Sequence, residues 1–199
     1  MHTAPLHAPL ATCLLVIDVQ QSFLHRPYFE GHGLPAFLAA QNALVATAQA
    51  RGWPVVRVLH EEPGGAGEPF APASGLVRPM DGLSGFDAAL TVRKTRHSAL
   101  VGTGLDVWLV AEGMRRLVIS GIRTEQCCET TARHASDLGW QVVFVPEATL
   151  TWDIPLPGGG VLPAAAIQER TAAALRGRFA RVASLQDLQQ LPAGALEAA

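Results

Sequence analysis

The chain has 199 residues, 49% of them apolar and 16% charged, with a formal net charge of −2. That length suits one domain, and the apolar fraction allows a sizeable buried core. The near-balanced charge carries no basic stripe or acidic tail, so neither a nucleic-acid nor a membrane-surface partner is indicated. The opening Met1-His2-Thr3-Ala4 lacks the positive start of a signal peptide, and the first apolar run, Leu14 to Val19, contains Asp18. No run approaches the ~18 apolar residues of a membrane helix. An odd cysteine count (Cys13, Cys127 and Cys128) with two neighbours makes no secreted disulfide framework. A reducing, cytoplasmic setting is expected.

In chain order, short β-branched runs alternate with helical patterns. Leu14 to Ile17 is a predicted buried strand, and Leu34 to Ala50 a helix closed by Gly52. Val55 to Leu59 is a second strand. Residues 61–86 hold many Gly and Pro with little periodicity and form an irregular excursion, a length of loop that is often functional. Leu105 to Glu112 is helical, ending at Gly113, and Leu117 to Ser120 is a strand. Thr124 to Leu138 is a predicted helix with Thr124 as N-cap and Gly139 as its stop. Val142 to Val145 is another strand, 146–162 a loop, and Pro163 to Leu175 a helix. Arg181 to Ala183 is a short last strand, and Ser184 caps a final short helix. No internal repeat or linker divides the chain. One domain over 10–190 is expected, with terminal tails at 1–9 and 191–199. Strands apolar throughout, alternating with helices, imply an α/β domain: a mainly parallel, Rossmann-like sheet covered on both faces, three layers α/β/α.

In such a sheet ligands bind beyond the carboxyl ends of the strands, where strand order reverses. The rule singles out Asp18, His60-Glu61 and the stretch Gly121 to Cys128. Cys127 lies in the first turn of a helix that follows a strand. There the helix dipole and backbone N–H groups favour a thiolate, lower the thiol pKa and could hold an oxyanion. The competing reading is a small buried hydrophobe. Cys128, ~100° further round the helix, packs with Ala132 and Ala135. Asp18 ends an apolar strand, where a carboxylate is costly without a partner or a task; it is either a general base or a loop cap. Lys94, between Arg93 and Arg96, read alone belongs to a solvated face. His25, His60, His97 and His134 match no compact metal spacing. His134, seven residues from Cys127, is about two helical turns away.

Three segments resemble one family, the isochorismatase-like cysteine hydrolases. Leu15-Val16-Ile17-Asp18-Val19-Gln20-Gln21-Ser22-Phe23 is similar to the family's first strand with its aspartate. Lys94-Thr95-Arg96-His97-Ser98-Ala99-Leu100 is similar to its lysine motif. Gly121-Ile122-Arg123-Thr124-Glu125-Gln126-Cys127 is similar to its Gly-x-x-Thr-[Asp/Glu]-x-Cys signature, continued by Thr131-Ala132 and Ala135-x-x-x-Gly139. The likeness spans Cys13 to Ser184.

The resemblance implies a catalytic triad of Asp18, Lys94 and Cys127, and a cis peptide between Ile122 and Arg123. It implies an oxyanion hole from the N–H groups of Arg123 and Cys127. Its members are commonly dimers or tetramers, so a homo-oligomer acting on a small-molecule substrate is expected. Family nicotinamidases build a metal site on an Asp-x-His run after the second strand; here that region reads Leu59-His60-Glu61-Glu62-Pro63, so neither metal nor other cofactor is expected. Isochorismatases proper cleave a vinyl ether without needing the cysteine, so Cys127 points to C–N hydrolysis of an amide or ureido compound. Phe23, His60, Thr124 and Trp152 are expected to shape the substrate pocket. The rival readings are vinyl-ether cleavage with Asp18 as acid, a non-catalytic binding protein, and a vicinal-thiol redox protein.

Overall fold

The computed structural model describes residues 11–29 and 31–190; the expected tails at 1–9 and 191–199 lie outside the described residues. The chain runs β1 (Thr12–Ile17), α1 (Leu34–Ala50), β2 (Val55–His60), β3 (Leu90–Lys94), α2 (Leu105–Ala111), β4 (Arg116–Ile122), α3 (Glu129–Asp137) and β5 (Gln141–Leu150). It continues with the two-residue strands β6 (Ile154–Pro155) and β7 (Val161–Leu162), then α4 (Ala164–Leu175), β8 (Arg181–Val182) and α5 (Leu185–Gln190). Six strands form a parallel sheet in the order β3-β2-β1-β4-β5-β8. This is the single α/β domain that the alternation of strands and helices predicted.

Period-two alternation splits β1 between two cores. Leu14 and Val16 pack with Phe37, Leu44 and Val45 of α1 and Leu188 of α5. Cys13, Leu15 and Ile17 face the opposite way, against Leu105 and Leu109 of α2, Ala132 and Ala135 of α3, and Leu175 of α4. Both faces of the sheet are therefore dry, which explains why its strands read as unbroken apolar runs. In α1 the buried positions Phe37, Gln41, Leu44, Val45 and Ala48 recur at helical spacing. Among the described residues, no helix is long and apolar enough to cross a membrane.

Three sequence expectations need correction. The expected loop 146–162 is largely ordered backbone: β5 continues to Leu150, and β6 pairs antiparallel with β7 as a small hairpin. The apolar run at 142–145 marked only the half of β5 in register with the first part of β4. Ile119 faces Phe144, whereas Gly121 faces Thr149, so β5 bulges at Val145–Ala148 before pairing resumes. Second, Lys94 does not sit on a solvated face. Leu90–Lys94 is an edge strand whose alternation sends Thr91 and Arg93 outward and buries Val92 and Lys94. Third, Thr124 does not cap a continuous helix: residues Thr124–Cys128 form a π-helical turn and α3 begins at Glu129. The Thr124 hydroxyl donates instead to Thr149 Oγ1 (2.9 Å), whose own hydroxyl donates to the Pro146 carbonyl (2.9 Å). The predicted cap at Ser184 is present, with reciprocal bonds to Asp187.

The 61–86 excursion is tied down. Gln21 and Ser22 donate backbone bonds to Arg78 and Leu76, and Met80 donates to Val19. It carries the chain from the carboxyl end of β2 back to the start of β3.

Strand order reverses between β1 and β4, the neighbours from which the chain departs in opposite directions. Their carboxyl ends approach unusually closely. Gly121 has φ 128°, and a Cβ there would lie 1.9 Å from the Ile17 carbonyl oxygen. Backbone on both sides leaves no route for relief. Gly121→Ala is expected to cost about 3 kcal/mol or more, a fall in Tm of roughly 6–12 °C for a domain of this size. Thermal unfolding followed by circular dichroism checks this, and an unchanged Tm contradicts the close approach.

Candidate active site

Three side chains far apart in sequence meet at this switch point. Asp18 follows β1 directly and is the only described non-glycine residue with positive φ (54°), a left-handed conformation that aspartate tolerates better than most side chains. Its N–H still donates to Val58, and its carbonyl accepts from Gln20 (2.8 Å), so the chain bends sharply off the strand. Lys94 ends β3, two strand spacings from β1, roughly 10 Å. Its long stem spans the gap beneath β2, and its Nζ reaches Asp18 Oδ2 at 2.7 Å, with both side chains 0% exposed. The same Nζ lies 3.3 Å from Cys127 Sγ and 3.3 Å from His60 Nδ1. An ammonium has three protons, and three acceptors surround this one.

Cys127 comes from the π-helical turn after β4, and is 7% exposed. The peptide joining Ile122 to Arg123 is cis. Cys128 is fully buried and packs in the core with Ala132 and Ala135. Cys13, Cys127 and Cys128 are all free thiols.

The electrostatics revise the expectation of a helix-activated thiolate. Burial pushes the Cys127 thiol up to about 12; the Asp18 charge adds to the rise, and Lys94 opposes it. Desolvation outweighs the helix terminus, and the resting sulfur carries its proton. Burial likewise raises the Asp18 carboxyl above the ordinary 3.8, with Lys94 pulling it back. Burial alone would lower the Lys94 ammonium, but Asp18 and then Cys127 outweigh it, so Lys94 is held above its ordinary 10.5. The result is a buried cation, a carboxylate with raised proton affinity and a neutral thiol, all in contact.

The expected pocket residues separate. Phe23 and Trp152 meet edge to face (ring centroids 5.6 Å), and both are buried. Thr124 is fully buried and engaged with Thr149, supporting the turn. His60 touches Lys94 directly. Composition and spacing did not single out the rest of this wall. Tyr28 stacks on Trp152 (5.4 Å), Phe29 meets its edge (5.8 Å), and Phe70 packs on Phe23 (4.9 Å). The Arg123 guanidinium lies 4.4 Å over the Trp152 ring and pairs with Glu125 (3.1 Å). The Trp152 indole N–H is buried without an acceptor among the described residues.

Gln20 was quoted in the first motif without a role. Its amide brackets His60, donating to the His60 carbonyl (3.0 Å) and accepting from the His60 N–H (2.7 Å). A glutamine three residues past an apolar strand was the available signal. Of the other histidines, His134 Nδ1 is hydrogen-bonded to Ser98 Oγ (2.8 Å), while His25 and His97 are exposed. Among the described residues, no group of three or more His, Cys, Asp or Glu is arranged to hold a metal ion.

Comparison with known proteins bears on the family and the fold. Residues 12–187 match the isochorismatase domain. The chain is 31% identical over 186 residues to the streptothricin hydrolase of Streptomyces noursei; it spans 62% of that protein's length, and the alignment covers 92% of this chain. It is 28% identical over 174 residues to the ureidoacrylate amidohydrolase of Methylobacterium radiotolerans, covering 71% of this chain and 67% of that one. The crystal structure of a candidate isochorismatase from Burkholderia xenovorans LB400 superposes with a TM-score of 0.80 at 30% identity, covering 92% of this chain and 89% of that one. The fold, the match along nearly its whole length and these relatives show that the chain belongs to the isochorismatase family of hydrolases.

Proposed function

We propose that the chain is a cysteine hydrolase that cleaves a C–N bond of a small amide or ureido compound through a thioester on Cys127. The observation that carries this reading is the contact of Cys127 Sγ with a lysine that is itself ion-paired to a fully buried aspartate. That arrangement provides a nucleophile, a base and a fixed cation in one place. Kinship to an enzyme named as an amidohydrolase supports the choice of bond.

In this mechanism Asp18 takes the thiol proton as sulfur attacks the carbonyl carbon. The new C–S bond pushes the carbonyl electrons onto oxygen, and the N–H groups of Arg123 and Cys127 hold that oxyanion. As the C–N bond breaks, Asp18 gives its proton to the departing nitrogen. Water then attacks the thioester, its proton going to Asp18. The acid leaves, and the expelled sulfur regains that proton. Lys94 keeps Asp18 ionised between proton transfers and offsets charge on the sulfur. The aromatic wall of Phe23, Tyr28 and Trp152 suits a flat, small substrate.

Two measurements test the reading. The first is ammonia release across a panel of small amides and ureido compounds. Cys127→Ala is expected to lose roughly 1,000-fold or more in kcat/KM, and Cys128→Ala to stay near wild type. Full activity in Cys127→Ala sinks the thioester route and favours vinyl-ether chemistry with Asp18 as acid.

The second is the pH profile. Asp18 must be ionised to act as base, and its pKa is raised, so kcat/KM falls as pH drops through a midpoint above 3.8. On the alkaline side Lys94 remains protonated beyond its ordinary 10.5 and the thiol near 12, so the plateau extends past pH 9. A midpoint at or below 3.8 contradicts the assignment of Asp18 as base.

A further inference from the structure

The chain of contacts does not stop at Lys94. Its Nζ can only donate, so the 3.3 Å contact makes His60 Nδ1 an acceptor. A neutral imidazole that accepts at Nδ1 carries its proton on Nε2, and here Nε2 faces Glu62 Oε1 at 3.5 Å. Glu62 in turn pairs with Arg26 at 2.6 Å, and the Arg26 guanidinium lies 4.6 Å over the Phe70 ring, which packs against His60 (5.7 Å). The backbone of His60 is fixed on both sides by the Gln20 amide, and its Cα is the register partner of Lys94. Each ring nitrogen of this imidazole therefore has a charged neighbour, and its Nδ1 is aimed at the ammonium.

We propose that His60 is a positioning residue for the catalytic cation: neutral and protonated on Nε2, it accepts the third ammonium proton of Lys94, and Glu62, braced by Arg26, holds it in that tautomer. The inference rests on the cysteine-hydrolase reading for its catalytic meaning, though not for its geometry. Lys94 has two reactive neighbours, Asp18 and Cys127. Without a third acceptor the ammonium can turn wholly toward the carboxylate and away from sulfur. His60 fixes the remaining proton and so keeps one proton of Lys94 on the thiol.

The groups facing His60 are Lys94 from β3, Asp18 after β1 and Glu62 on its own loop, with Arg26 behind Glu62. Burial and then Lys94 lower the imidazole below its ordinary 6.5, opposed by Asp18 and Glu62. Protonation at Nδ1 abolishes the acceptor and places two cations side by side.

The test compares wild type with His60→Asn, whose amide oxygen can accept from Lys94 and does not titrate, and with His60→Phe, which has no acceptor. Two readouts are used: the alkylation rate of Cys127 by iodoacetamide at pH 8, located by mass spectrometry, and kcat and KM measured separately. His60→Phe is expected to slow alkylation roughly tenfold, the effect of a one-unit rise in the thiol pKa. Its kcat should fall about 10–100-fold, as for outer partners that orient a reacting group, with KM little changed. His60→Asn should recover most of both rates. The proposal is overturned if His60→Phe matches wild type in alkylation, or if the two variants are equally impaired with unaltered folding. Slowed alkylation in His60→Phe, rescued in His60→Asn, upholds the positioning role even where the wild-type chain hydrolyses nothing in the panel; that combination removes the amidase reading alone.

Discussion

The ion pair between Asp18 and Lys94 is the constraint on which the rest of the site depends. Both side chains are fully withdrawn from water at 2.7 Å, and removing two such charges from solvent costs several kcal/mol each before their attraction returns any of it. An apolar pair of similar size would serve stability at least as well. The fold keeps the charges nonetheless and arranges its local oddities around them. The left-handed bend at Asp18, the burial of an edge-strand lysine and the close approach at Gly121 each bring a polar group to the same point. Uncompensated partners of a broken buried pair are expensive, so neither residue can be lost alone without disturbing the other.

The pair also decides the state of the sulfur. Two influences compete at Cys127: the helix terminus and Lys94 favour a thiolate, while burial and the Asp18 charge favour the thiol. With the thiol near 12, the second set wins in the resting protein. A site of this kind does not store a thiolate. It holds a carboxyl group with raised proton affinity beside a neutral thiol. Such a design protects a buried cysteine from casual oxidation, which follows thiolate character and exposure.

Much of this was legible in the residues, for physical reasons that can be named. Apolar strands alternating with helices, and turn residues between them, specify a parallel sheet covered on both faces, and the rule for such sheets leads directly to Asp18 and the Cys127 turn. Lys94 was not legible from composition, because a strand with charged neighbours at Arg93 and Arg96 looks solvated until the register shows which face is in. Only the motif likeness singled it out. The second half of β5 was hidden by Pro146 and Glu147, which break the apolar run at the bulge. The helix start at Thr124 was misread because a threonine before a helical pattern signals a cap, and its hydroxyl had a tertiary partner in Thr149 that no local pattern encodes. The thiol pKa failed for a related reason: helix position is a sequence property, whereas desolvation belongs to the packed structure.

The 61–86 excursion carries the same lesson into function. Its length and its Gly and Pro content fit either a mobile lid or a fixed brace. The bonds decide for the brace. Backbone hydrogen bonds join residues 19–22 to 76–80, Ser22 Oγ donates to the Leu76 carbonyl, and Gln20 locks the end of β2 to the same segment. Phe70, from within the excursion, closes the aromatic wall behind Phe23 and backs His60. Both side chains of the ion pair are withdrawn from water within this framework. In a dry, preorganised setting each contact to the ammonium is worth more than in water. This is why a third acceptor on Lys94 matters: in a solvated site a water molecule would replace it, whereas here, among the described residues, His60 stands in that place.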